Sequence, residues 1–410
     1  MESTERKPST YRWVVLGTWI TSHVVAFVIF SVLGILLPSI TEEMGLSPAQ
    51  QGLLGSSAQW GSIVLAVPLA LWGSRYSPKL LTTVTLALGA ALVFLQGWAP
   101  SFLLLLMARL AFGMTLTARR AAFALLTQQW FPPREFVLAN GVVNAFFGAT
   151  MGLGYIVTPL ILGASGGSWR TTLYVFGFLS LAMVLLWLLL GRERVTSEYR
   201  QRAVSQERSP LWSILRYRQL WLCALGLLGA QLAWMAFASF WPTLMLDRYG
   251  VSLKWSGNLL GINSFAAAVA GIVVGLLVAR IDVRKTVTVV AGVALAASLA
   301  CMTLTGSIPL LLAADLLNGA GWCFWPILMA LPFQLRGIRP REVAVALGFL
   351  DVSLWLGGAI GPLMAGLLEE ATGELRLALV VTSLFVLTIS IVGLLTPFGG
   401  LRSEPQGTDA

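Results

Sequence analysis

The chain is built from long apolar runs separated by short polar ones. Runs of spanning length fall near 12–38, 49–73, 80–98, 102–130, 137–163 and 171–191. A second set falls near 219–244, 256–279, 285–304, 308–333, 343–368 and 376–396. A helix needs about 20 apolar residues to cross the hydrocarbon core, where its backbone polar groups must be satisfied internally. The pattern predicts an all-α membrane protein of 12 transmembrane helices in two pseudo-symmetric six-helix bundles. The bundles are residues 1–191 and 219–410, with a cytoplasmic linker over 192–218. That linker is the one long polar interior segment, and a short surface helix is expected near its end, from Leu211 to Tyr217.

The run from Leu103 to Phe131 breaks its own pattern. It carries Arg109, Arg119 and Arg120 among apolar neighbours. An arginine at mid-bilayer costs about 2.5–3.5 kcal/mol on insertion scales, so these side chains need water, protein or a ligand. Arg109 and Arg120 stand 11 positions apart, about three turns, and so share a face with Gly113; Arg119 points about 100° away. Two readings follow. The arginines bond backbone carbonyls or reach for headgroups, or they form a positive site in a buried aqueous cavity.

Composition fits a bilayer: 57% of residues are hydrophobic and 11% charged, against about 25% charged in soluble domains. The net charge of +9 would suggest nucleic acid in a soluble chain, but its placement argues for topology instead. With the N-terminus inside, Lys and Arg concentrate on the cytoplasmic side. Only Arg170, Arg248, Lys254 and Arg376 fall outside, and three more lie within the fourth span. The positive-inside rule therefore puts both termini in the cytoplasm. No cleavable signal peptide is expected, because the first apolar run is too long for an h-region. Cys223, Cys301 and Cys323 sit in apolar segments without ligand spacing. With one histidine and scattered carboxylates, no metal, cofactor or nucleophile constellation is expected, and an enzyme is disfavoured.

The halves repeat. Tyr11-Arg12 answers Tyr217-Arg218, and Pro38 with Gly45-Leu-Ser answers Pro242 with Gly250-Val-Ser. Arg75 and Lys79 answer Arg280, Arg284 and Lys285. Arg109…Gly113 answers Asp315…Gly319, and Arg134-Glu135 answers Arg341-Glu342. Five matches in one order predict a duplicated six-helix unit in parallel orientation, as in transporters built from such repeats.

These residues resemble the major facilitator superfamily over nearly the whole chain. Its loop between helices 2 and 3 reads roughly G-x-L-A-D-R-x-G-R-R. Here Ala70 to Lys79 keeps Arg75 and Lys79 but has Ser74 at the aspartate position. The second copy keeps Gly275 and Arg280 but has Ala279 there. Both copies thus lack the carboxylate that pairs across the family's cytoplasmic gate. Arg109 with Gly113 resembles the helix 4 motif whose arginine the family uses in proton coupling. Trp130 to Glu135 and Trp169-Arg170 are also typical. Gly348, Gly357, Gly361-Pro362 and Ala365-Gly366 resemble a glycine motif that antiporters carry in helix 5, where only Gly154, Thr158-Pro159 and Gly163 remain here. The general tone is similar to bacterial nitrate-, cyanate- and organic-anion-type members. The short loops and lean termini suggest a bacterial inner membrane, a monomer is expected, and the resemblance implies a solute site near the midplane.

On that frame Arg120 is the leading anion contact and Arg119 the second, because guanidinium is a permanently charged planar fork. His23, Asn144, Gln231 and Asn263 are polar residues deep in spans, each either a substrate contact or interhelical glue. Asp315, Asn318 and Trp322 are spaced to share a helix face, with a solvated outer vestibule as the plain alternative for Asp315. Trp234 and Trp322 wall a cavity or pack in the core. Arg109, Asp315 and Asp351 are the candidates for proton coupling. Arg75, Lys79, Gly275, Arg280, Gly357, Gly361 and Pro362 are the candidates for gating. The expected function is a proton-coupled secondary transporter of a small organic or inorganic anion. Proton-coupled multidrug efflux is the alternative in the same fold, and a non-transporting membrane sensor or scaffold is the alternative of another class. The partners are a small solute, protons and lipid; no nucleic acid is expected.

Overall fold

The computed structural model describes residues 10–72, 77–131, 135–193, 214–281, 283–335 and 338–397. The side chains of 66–72, 120, 121, 124, 128, 136–138, 140, 141, 144, 145, 279, 340, 341 and 344 lie outside that description. The elements are α1 (Tyr11–Ser31), α2 (Leu33–Met44), α3 (Pro48–Trp72), α4 (Pro78–Trp98), α5 (Phe102–Trp130), α6 (Phe136–Ala164) and α7 (Trp169–Leu190). They continue with α8 (Arg218–Tyr249), α9 (Leu253–Arg280), α10 (Arg284–Leu304), α11 (Ile308–Gly321), α12 (Trp325–Ala330), α13 (Pro340–Thr372), α14 (Leu375–Ser383) and α15 (Thr388–Leu395). The described residues contain helix and no strand. Eleven helical segments among them are long and apolar enough to cross a membrane. The remaining predicted span, 49–73, corresponds to α3.

Helix ends follow from local chemistry. Ser77, Ser101, Ser168 and Ser252 each precede a helix and accept a main-chain N–H three residues on, satisfying one of the donors a helix start leaves unpaired. Gly250 and Gly373 close α8 and α13 at φ 65° and 71°, a conformation only glycine adopts without penalty. Three predicted single spans are broken. The first divides at Val32 into α1 and α2. The tenth passes through short 3₁₀ turns at 322–324 and 331–334, beside Pro326 and Pro332, which carry no N–H for a helical bond. The twelfth is interrupted at 384–387. Of the expected surface helix Leu211–Tyr217, residues 211–213 lie outside the described residues and 214–216 form a turn.

By contacts the chain divides into two units, 1–40 with 57–207, and 41–56 with 208–410. In unit 1, α4 packs on α5 and α7, and α1 on α6 and α7. In unit 2, α13 packs on α8, and α11 on α9 and α10. Residues 41–56 join unit 2 through specific bonds: the Glu370 carboxylate accepts from Ser47 Oγ at 3.2 Å and from the Ala49 N–H at 2.9 Å.

The sequence repeat reappears in the geometry, although the second base is Arg216 and not Arg218, the sequence counterpart of Arg12. Arg12 pairs with Glu135 at 2.9 Å in unit 1, and Arg216 with Glu342 at 3.8 Å in unit 2. In each unit, then, a base at the entry to the first helix meets the acid at the start of the fifth. Gly113 of α5 and Gly319 of α11 occupy matching places too. A Cβ on Gly113 would collide with the Ala58 carbonyl of α3, and one on Gly319 would lie 2.7 Å from the Asn263 carbonyl of α9. Lipid tails are as apolar as leucine, so close backbone approach takes the place of hydrophobic burial as the packing force. The apolar side chains Val269, Ile272, Val273 and Leu276 of α9 are correspondingly exposed.

Candidate functional site

In unit 1 the arginines of α5 turn inward. Arg109 is 3% exposed, its Nη2 donates to the Phe30 carbonyl of α1 at 3.1 Å, and its Nε has no partner. Arg119 is also 3% exposed; its Nη2 donates to the Thr85 carbonyl of α4 at 3.0 Å, and its Nε and Nη1 have none. Gly89, one turn from Thr85, leaves the space the guanidinium occupies, since a Cβ there would strike Nη2. Among the described residues no carboxylate pairs with either arginine, and the sequence explains why: residues 1–191 place no Asp or Glu inside a predicted span, and the first aspartate of the chain is Asp247. Buried ions are ordinarily paired because desolvation costs several kcal/mol per ion; this bundle keeps two cations with main-chain oxygens alone.

His23 lies close by on α1, fully buried and stacked on Trp19 at 3.8 Å between ring centroids. Its Nδ1 stands 2.6 Å from the Trp19 carbonyl. A carbonyl only accepts, so Nδ1 carries a hydrogen, and Nε2 finds no partner. Among the described charged groups, Arg119 of α5 is a neighbour of His23. Arg120 sits on the next α5 position and Asn144 on α6, but both side chains lie outside the described residues.

Unit 2 holds a polar junction of three helices. Asn263 of α9 donates to the Asp315 main-chain carbonyl at 3.1 Å and to Asn318 Oδ1 at 3.0 Å, both on α11. Asn318 Nδ2 donates to Ser298 Oγ of α10 at 2.9 Å, and Ser298 donates to the Leu295 carbonyl at 3.0 Å. Asp315 is 0% exposed, and both its carboxyl oxygens lack a hydrogen bond. The solvated-vestibule reading of Asp315 is therefore overturned. α11 ends at Gly321, and Trp322 opens a 3₁₀ turn with its backbone still right-handed.

The half-exposed polar and aromatic groups of unit 2 lie elsewhere. Trp322 meets Trp234 of α8 edge-on at 5.8 Å and Trp325 at 6.2 Å. Gln231, one turn before Trp234, is half-buried and makes no hydrogen bond among the described residues. Asp351 is half-buried on α13. The glycines of α13 act as spacers: a Cβ on Gly357 or Gly361 would collide with the Leu228 or Leu232 carbonyl of α8, and Pro362 rests on Gly52 and Gly55 of α3. Gly275 has open space around it and Arg280 is exposed. Lys79 gives its main-chain N–H to Glu193 at 2.7 Å. Arg75 lies outside the described residues.

Sequence reasoning missed Gly89, Ser298 and Trp325. Gly89 carried a faint signal, a glycine one turn from Thr85 in an otherwise regular apolar helix. Ser298 carried none, because a serine in an apolar span is common and its partner is 20 positions away.

The model of the Major Facilitator Superfamily matches residues 19–335 and, again, 232–408. A probable sulfoacetate transporter, SauU, of Cupriavidus necator is 26% identical, covering 90% of each chain. A hexuronate transporter of Bacillus subtilis is 23% identical, covering 93% of each. Among solved structures, an inward-facing, occupied bacterial homologue of the human lysosomal transporter Spinster superposes with a TM-score of 0.79 at 16% identity, over 94% of this chain and 97% of that one. The family match spans most of the sequence and agrees with the repeated, all-helical architecture: the chain is a multi-pass integral membrane protein of the Major Facilitator Superfamily, a family of transporters rather than enzymes.

Proposed function

We propose that the chain is a secondary transporter of a small organic anion, with a carboxylate group as its recognised feature, driven by protons across a bacterial inner membrane with both termini cytoplasmic. The observation that carries this reading is the first unit's unbalanced charge. Arg109 and Arg119 are buried without a carboxylate partner, in a half whose spans contain no acid. Low-dielectric walls strengthen such a field and favour anions over cations. The sulfoacetate and hexuronate carriers among the relatives move solutes that share a carboxylate.

Arg120 is assigned the direct anion contact. Arg109 and Arg119 hold the surrounding potential, each already tied to a main-chain carbonyl. In unit 2, Gln231, Trp234 and Trp322 are the groups exposed enough to meet a solute, whereas Asn263 and Asn318 are occupied with each other. The transported carboxylate neither forms nor breaks a covalent bond; the protein's task is to offset its charge and desolvation.

The test is uptake into proteoliposomes of a carboxylate panel that includes sulfoacetate and a hexuronate, with lipophilic cations as the contrasting class. One carboxylate class is expected to accumulate under an inward proton gradient, and Arg120→Gln is expected to lower its uptake at least tenfold while the melting profile is kept. A response to cations alone, unaffected by Arg120→Gln, would move the chain to drug efflux.

A further inference from the structure

Tryptophan serves two familiar purposes elsewhere in the chain. Trp98 closes α4 and Trp221 stands in the first turn of α8, at helix ends where indoles belong to the headgroup belt. Trp241 is fully buried and donates to the Met302 carbonyl at 2.8 Å. Trp234, Trp322 and Trp325 fit neither pattern. They lie midway along the spans Arg218–Tyr249 and Ile308–Gln334. Each is half-buried, and its indole N–H makes no hydrogen bond among the described residues and is open to the surface. The Gln231 amide, one turn before Trp234, is in the same condition. Hydrocarbon would leave these four polar groups unsatisfied at the depth where that costs most. The face they form is therefore turned to water or to a solute.

The face is also firmly backed. Trp322 meets Trp234 at 5.8 Å and Trp325 at 6.2 Å, and rests on Phe324 at 5.6 Å. Trp234 rests on Phe237 at 6.2 Å, and both phenylalanines are buried. The 3₁₀ turn at 322–324 sets the pair of indoles, because side chains three positions apart eclipse in that geometry. The four groups are uncharged. They present π faces and N–H donors, with the amide oxygen of Gln231 as the strong acceptor. A polyol carries a hydroxyl donor on nearly every carbon and would leave most of them unpaired here. A flat ring instead gains up to about tenfold in affinity for each well-placed aromatic pair.

We propose that Gln231, Trp234, Trp322 and Trp325 form a subsite for the body of the transported anion, and that this body is an aromatic ring bearing a hydroxyl or oxo oxygen that accepts from an indole N–H. The solute is then an aromatic carboxylate and not a sugar acid. Its being transported rests on the carrier reading above; the ring subsite itself does not.

The experiment is isothermal titration calorimetry of the full-length protein in detergent. The probes are 4-hydroxybenzoate, its saturated counterpart 4-hydroxycyclohexanecarboxylate, glucuronate and benzyltrimethylammonium. 4-Hydroxybenzoate is expected to bind at least about tenfold more tightly than either other acid. Trp322→Leu and Trp234→Leu are each expected to bring that ratio close to one, whereas Trp98→Leu leaves it unchanged. A tryptophan with a structural role alone would weaken both acids alike and keep the ratio. Should one of the two variants not fold, the other decides. Absent or equal binding of the aromatic and saturated acids, a preference for glucuronate or the ammonium ion, or a ratio that survives these substitutions would overturn the proposal. Ring preference without uptake of any carboxylate would leave the subsite standing and remove the carrier reading. Carboxylate uptake without ring preference would do the reverse.

Discussion

The two units of one duplicated fold solve the same problem with opposite chemistry. Unit 1 buries two arginines and ties them to main-chain oxygens, Arg109 to Phe30 and Arg119 to Thr85, as it ties the His23 ring to Trp19. Unit 2 buries a carboxyl and builds its polar core from side chains bonded to side chains, Asn263 to Asn318 to Ser298. Main-chain acceptors are fixed by the helix whatever residue stands there, so the first core tolerates change around it. Side-chain acceptors vanish on substitution, so the second core is written into a few residues.

The largest expected effect breaks the packing both units share. Gly113→Ala should cost more than Gly319→Ala, on the order of 3 kcal/mol against 1, within the range of overpacked cores. The added methyl would run into the Ala58 carbonyl in the first case, and would meet the Ala266 Cβ at 2.6 Å and the Asn263 carbonyl at 2.7 Å, a shallower clash, in the second. Melting of the purified variants measures this; equal losses would mean that the two glycines are not limiting in different ways.

A smaller effect sharpens the contrast of acceptors. Asn318→Ala removes the middle of the unit 2 chain and should cost about 1–3 kcal/mol by leaving Asn263 and Ser298 underused. Thr85→Ala leaves the carbonyl that Arg119 uses in place and should cost under about 1 kcal/mol. If the Thr85 variant proves the more damaging of the two, the division between main-chain and side-chain cores fails.

The smallest stability effect concerns charge itself. Arg119→Met removes a buried ion, and Asp315→Asn a buried carboxyl, each with no counter-ion among the described residues, so both should melt within about 1 kcal/mol of the wild type or slightly above it, since replacing such groups by neutral ones of similar size is often neutral or stabilising. Losses of about 3–5 kcal/mol, typical of a broken buried pair, would show that a partner exists for each.

Much of this was legible in the residues. Spanning runs, repeat order and the inward turn of Arg109 follow from hydropathy, spacing and the cost of an exposed charge in lipid. The α13 glycines were legible as close-approach points, and Gly357 and Gly361 do seat on α8. The candidate polar residues were harder. Asn263 and Asn318 read equally well as solute contacts or glue, and only their mutual distance of 3.0 Å separates the two. Asp315 and Trp322 differ instead in burial, the first enclosed and the second half-exposed, a distinction that residue spacing does not carry.

The sequence by itself determined the membrane class, the duplicated architecture, and the imbalance of basic residues in one half and acidic spans in the other. These are sums and periods along the chain, and lipid enforces them residue by residue. Tertiary structure decided which carbonyl each arginine finds, that Gly89 makes room for one of them, and that the amides of unit 2 bond each other across helices. Those outcomes depend on distances between helices that are 20 to 80 positions apart in the chain, and no local period encodes the reach and direction of a side chain across such a gap.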